Sequence, residues 1–146
     1  MGKILGSAYE VGNSDIVISR KPTGGTAIEE GLFVKQGAEG FVSSSNAGSA
    51  AAPFGVMGQQ ENVACSVVIA GLKVAVQLTD SITPSAGETV YVNAANNKAT
   101  NTSNSGANFG TNATFTGVIG TDGISSNGTS SVSNRRWAEI NMPNGL

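Results

Sequence analysis

A period of two dominates wherever this chain shows a pattern, and no segment of twelve or more residues has apolar spacing of three and four, which limits what it can fold into. Leu72, Val74, Val76 and Leu78 alternate with Lys73, Ala75, Gln77 and Thr79. Such spacing puts the first set on a buried face of a pleated strand and the second on a face that is exposed or lightly covered. The stretch before it repeats the pattern, with Val63, Cys65, Val67 and Ile69 interleaved with Ala64, Ser66, Val68 and Ala70. Between the two runs Ala70-Gly71 offers a tight turn, giving a central hairpin, or a bulge. Further strands are expected over residues 15–20, 32–35, 40–43, 54–57, 89–93, 98–100, 114–119 and 136–142. Pro22, Gly24-Gly25, Gly37, Pro53, Pro84, Gly87 and Gly120 separate nearly all of them, as turn residues do. The one helix candidate is residues 46–52. Short strands with regular turns predict an all-β fold, a β-barrel or β-sandwich of jelly-roll-like kind.

The order of elements occurs twice. Gly31-Leu32-Phe33-Val34 leads to Gly40-Phe41-Val42, a polar run, Phe54-Gly55-Val56-Met57-Gly58 and a strand at 65–70. Gly87-Glu88-Thr89-Val90-Tyr91-Val92 leads to Lys98-Ala99-Thr100, a longer polar run over 101–112, Phe115-Thr116-Gly117-Val118-Ile119-Gly120 and a strand at 137–142. A β unit of this size cannot close a core alone, so two copies should pack against each other. The expectation is a single β domain over 22–146 with half-repeats at about 31–72 and 87–142. Residues 1–21 precede it as an extended N-terminal arm or first strand.

Composition narrows the function. The 146 residues carry only 12% charged side chains, about half the usual ~25%; Gly, Ser, Thr, Asn and Ala take their place. A net charge of −2 argues against nucleic-acid binding, which draws on clustered cations. The tight basic pairs, Arg20-Lys21 and Arg135-Arg136, read as solvated strand ends, and Trp137 as part of a final core strand. Cys65, the single cysteine, cannot form an internal disulfide and suits a small buried position. The longest apolar run, 63–76, is interrupted by Ser66, Gly71 and Lys73 and is too short for a membrane helix. Lys3 has no apolar segment behind it, so synthesis in a cytoplasm without a secretory signal is expected.

Chemistry is hard to find. Histidine is absent, which removes the commonest general base and metal ligand and every Ser-His or Cys-His pair. Residues 21–26, Lys-Pro-Thr-Gly-Gly-Thr, lack the order of a phosphate loop. Glu29 and Glu30 are adjacent, so on an extended chain they point to opposite faces and cannot share a proton. No catalytic residue, cofactor or metal is expected.

The run Pro84-Ser85-Ala86-Gly87-Glu88-Thr89-Val90-Tyr91-Val92-Asn93-Ala94-Ala95-Asn96-Asn97-Lys98-Ala99-Thr100, followed by Phe115-Thr116-Gly117-Val118-Ile119-Gly120, resembles the capsid cement (decoration) proteins of tailed bacteriophages. In that family a hairpin with a Val-Tyr pair precedes a Gly-Val strand and a final alternating strand. The resemblance spans roughly 31–142; the long run at 101–112 and the stretch before residue 15 depart from it. It implies a non-enzymatic virion protein made in the host bacterial cytoplasm and bound to the capsid exterior. Its partners would be the major capsid protein and further copies of itself, as a homotrimer or else a dimer, with neither nucleic acid nor membrane. The alternative is an adhesin or receptor-binding module of a tail or fibre. Contact candidates lie on the arm: Tyr9, Ile16, Val17, Ile18, Arg20 and Lys21, with 16–18 adding a strand to a neighbour or to its own barrel.

Overall fold

The computed structural model describes residues 16–22, 28–36, 41–44, 53, 55–61, 64–103, 108–121 and 135–146. The helix candidate at 46–52 lies outside them. Nine strands are present among the described residues: β1 (Ile16–Pro22), β2 (Phe33–Gln36), β3 (Phe41–Ser44), β4 (Gly55–Glu61), β5 (Ala64–Gln77), β6 (Thr89–Asn93), β7 (Ala99–Thr100), β8 (Asn108–Thr121) and β9 (Arg136–Met142). The fold is all-β, and the described residues contain no helix.

Two expectations need correction. Ala70-Gly71 makes no hairpin, because β5 runs unbroken through it. Each half of β5 has its own partners, β1 and β4 for the first half and β9 for the second, so nothing makes the chain reverse. The bulge alternative holds instead: register slips between Gly71 and Val74, and Lys73 takes a φ of 58°. The strand expected at 114–119 also starts earlier, within the polar run at 101–112, since β8 begins at Asn108. Its alternate side chains face outward, which leaves the strand a polar sequence, while Thr111 anchors it by donating from Oγ1 to the Val90 carbonyl at 2.7 Å.

The strands close twice around β5. β1 pairs in parallel with β3 and antiparallel with β5, and β3–β2–β4–β5 completes the first ring. The second runs β5–β9–β8–β6–β7. It closes where Leu78, just past β5, bridges in parallel to Ala99, with the Thr79 N–H donating to the Ala99 carbonyl at 2.9 Å. A ring has no open edge over its paired residues, which protects a strand-rich chain from further edge pairing.

The two rings share one register. Gly31 N–H donates to Met57 O and Met57 N–H to Leu32 O; in the second ring Gly87 donates to Phe115 and Phe115 to Glu88. Val67 pairs with both Met57 and Ile18, as Ile140 pairs with both Phe115 and Val74. Pro22 faces Val42 in parallel as Leu78 faces Ala99. The internal duplication is therefore structural, and it is longer than the sequence suggested. β1 corresponds to the second half of β5, β2 to β6, β3 to β7, β4 to β8, and the first half of β5 to β9. The half-repeat read as 31–72 extends back to β1, and the one read as 87–142 extends back into β5. The match of Phe54 with Phe115 is also out of step: Met57 holds the place of Phe115.

Each ring has its own apolar filling. Ile28, Val34, Met57 and Val67, backed by Ile18, Leu32 and Ile69, fill the first. Val74, Val76, Leu78, Val90, Val92, Ala99, Ala113, Phe115, Ala138, Ile140 and Met142 fill the second. Phe33, Val56 and Val68 belong to the first ring's strands but join the second ring's cluster. They are the outward residues of β2, β4 and β5, and the second ring covers them. Burying each contributes roughly 1.5–3 kcal/mol.

Candidate contact surface

Along β1 the burial alternates. Val17, Ser19 and Lys21 are exposed; Ile18 and Arg20 are half-buried, and Pro22 is buried. Of the sequence candidates, Ile18 packs on the first ring's filling and Arg20 shares its phase, donating from one guanidinium nitrogen to the Ser19 carbonyl at 2.9 Å. Val17, Lys21 and the strand's first residue Ile16 present their side chains to solvent. β1 is a strand of this chain's own ring, paired from Ile16 to Arg20 with β5. Tyr9 lies outside the described residues.

Among the described residues the large apolar side chains left in water are Ile16 (51% exposed), Val17 (41%), Leu72 (46%) and Val118 (47%). Alternation had placed Leu72 on the buried face with Val74, Val76 and Leu78. The bulge at 71–74, with its left-handed Lys73, turns Leu72 outward instead. The signal was available in the sequence as Gly71 inside a strand pattern, which marks a bulge. Ala75 and Gln77, on the face expected to be exposed or lightly covered, are buried at the junction of the rings.

That junction holds a polar cluster. Gln77 Nε2 donates to Glu29 Oε1 at 2.8 Å and to the Glu30 carbonyl at 2.7 Å. The Arg135 guanidinium meets the same Glu29 oxygen at 3.0 Å and lies 5.3 Å from the Trp137 ring centre. Trp137 is wholly buried and packs against the Cα of Gly31. These contacts tie residues 29–31, ahead of β2, to β5 and β9. Glu88 makes a comparable tie within the second ring. It accepts the Ser85 N–H at 2.7 Å and an Asn101 side-chain N–H at 3.0 Å. The Ser85 N–H first, and then Asn101, hold its carboxyl below the usual carboxylate range. Among the described residues no three His, Cys, Asp or Glu gather into a metal-ligating group. No helix among them is long and apolar enough to cross a membrane.

No protein-family model matches the chain, and no curated sequence matches it significantly. Fold comparison does find a counterpart. A chain of the solved structure described as "The capsid of Myoviridae Phage XM1" superposes with a TM-score of 0.69 at 17% identity, covering 94% of this chain and 90% of that one. The protein is thus an all-β, doubly ringed molecule that shares its fold, over nearly its whole length, with a chain of a bacteriophage capsid.

Proposed function

We propose that the protein is a structural component of a tailed-phage virion, a cement protein that binds the capsid exterior and stabilises contacts between major capsid subunits. The observation that carries this reading is the end-to-end fold match to a phage-capsid chain. Two further features support it. The resemblance of residues 84–100 and 115–120 to the cement family points the same way. The duplicated, closely filled rings also suit a rigid block that holds neighbours in place. Self-association, as a trimer or else a dimer, would multiply modest contacts into tight clamping.

The test mixes purified protein with bare, expanded phage capsids and follows co-sedimentation and resistance to heat or chaotrope. Saturable binding that raises capsid resistance is the expected result. No binding to any capsid, with binding to a host-surface glycan, would replace this reading with the adhesin one.

A further inference from the structure

Ile16, Val17 and Leu72 form one apolar patch where the start of β1 meets the middle of β5. Ile16 pairs with Ala70, two residues before Leu72 on the same strand, and Val17 pairs with Val68. Register slips at 16–17 and at 71–74 frame the patch, and each of the three side chains is about half exposed. One such residue is unremarkable; three side by side are an apolar surface in search of a cover. Half-exposed aliphatic side chains leave on the order of 150 Å² of apolar area between the three of them. That is far short of the ~800 Å² that each partner contributes to a stable interface between separate molecules. A cover already tethered beside the patch needs much less area, because it gives up no translational freedom and acts at high effective concentration.

The chain itself supplies that tether. β1 starts at Ile16, inside the patch, so residues 1–15, which lie outside the described residues, join the body there. Their sequence suits a segment that doubles back. Gly12-Asn13-Ser14-Asp15 is a run of turn-forming residues immediately before Ile16. Tyr9 and Val11 stand just ahead of it with Glu10 between them, so an extended chain presents both apolar side chains on one face. Among the described residues β1 pairs over Ile16–Ser19 with β5 alone and meets β3 only at Lys21 and Pro22, which leaves space beside it. We infer that residues 9–11 of the same chain fold back through a turn at 12–15 and cover the patch, with Tyr9 and Val11 against Ile16, Val17 and Leu72. The arm is then stored on its own body, and Tyr9 meets another molecule only after release.

Hydrogen exchange on the full chain, read at the amides of residues 9–11, tests this. In the unaltered protein these amides should exchange at least about tenfold more slowly than an unprotected chain, because the cover has to open first. The protection should be the same at every protein concentration. Leu72→Ser and, as a second probe that leaves the bulge at 71–74 alone, Val17→Ser should each bring exchange to within about twofold of the unprotected rate. Val118→Ser should leave the protection in place, since Val118 is as exposed as Leu72 but lies on β8, on the far side of β9 from β5. Unchanged exchange over β9 in each variant confirms that the body is intact. Amides 9–11 that exchange as an unprotected chain, or protection that both patch variants leave in place, overturn the inference. So does protection that falls on dilution together with dimers in sedimentation, which assigns the cover to a second copy. The capsid reading stands or falls independently of these outcomes.

Discussion

Gly31 and Gly87 give a paired experiment that nature has already half performed. They are equivalent in the two units, and both have φ of 87°. Their N–H groups donate at the same 2.8 Å to equivalent carbonyls, of Met57 and Phe115. The surroundings differ. A Cβ on Gly87 would meet nothing within 4 Å, whereas one on Gly31 would collide with Cζ3 of Trp137, lie 2.6 Å from its Cη2 and sit 3.1 Å from Gln77 Cγ. Gly87→Ala therefore reports only the left-handed backbone, about 1–2 kcal/mol for a residue with a Cβ. Gly31→Ala carries the same cost plus that of forcing a methyl into a filled junction, about 1–3 kcal/mol, for a total of about 2–5 kcal/mol. Urea unfolding at 25 °C, with slopes that stay constant, measures both. For a chain of this size each kcal/mol lowers Tm by about 3 °C, so thermal unfolding offers a second readout. In a Trp137→Leu background, itself less stable by a few kcal/mol, the excess at Gly31 should vanish and the two glycines should cost the same. Equal losses for Gly31→Ala and Gly87→Ala in the unaltered protein would refute the close junction between the rings. An excess that persists without the Trp137 ring would refute its cause.

Phe33→Ala should cost about 3–5 kcal/mol in urea unfolding, because it opens a cavity in the buried junction, while Thr89→Ala at the equivalent exposed position should stay within ~0.5 kcal/mol. Gln77→Ala should cost about 1–3 kcal/mol by the same assay, since it leaves the Glu30 carbonyl without this buried donor. Glu88 accepts two N–H groups as a carboxylate, so its folded pKa lies below the ordinary 4.5. The stability it contributes is present above that value and fades as pH falls through the lower folded one. Glu88→Gln should accordingly be less stable than the unaltered protein at pH 7, and the gap should narrow in unfolding curves taken at progressively lower pH below about 4.5. A gap independent of pH would show that the ionised form is not what matters.

How much of this was legible in the sequence depends on which contacts made each element. The strands at 89–93 and 136–142 coincide with the observed β6 and β9, because alternation, flanking turn residues and burial all agree there. The duplication was visible from Gly31 and Gly87 onward, where the same turn demands the same residue. It was invisible at β1 and the second half of β5, since Ile18-Ser19-Arg20 and Val74-Ala75-Val76 share no residue and are matched only by their partners. The start of β8 was hidden for a different reason. Asn108, Thr111 and Asn112 are polar, and what makes the segment a strand is pairing with β6 across the ring, a nonlocal contact with no local signature. Among the contact candidates, alternation alone could have separated Ile18 and Arg20 from Val17 and Lys21. Leu72 required knowing that Gly71 bends a continuous strand.

The two units share a register but not an outer surface, and the difference follows which of the two faces is covered. In the first unit the outward residues of β2, β4 and β5 are Phe33, Val56 and Val68, all buried by the second unit. The equivalent positions of the second unit are Thr89, Thr114 and Asn141, which are exposed or half-exposed. A repeat that stacks on its neighbour needs an apolar outer face at every junction and a polar one at the end. The same backbone site thus carries Phe where the other ring covers it and Thr where it is exposed. Replacing Thr89 by Phe in the second unit would recreate the first unit's stacking surface without its cover. Sedimentation should then show association absent from the unaltered protein at the same concentration, and no change in assembly would mean that Phe33 owes its burial to something other than this face.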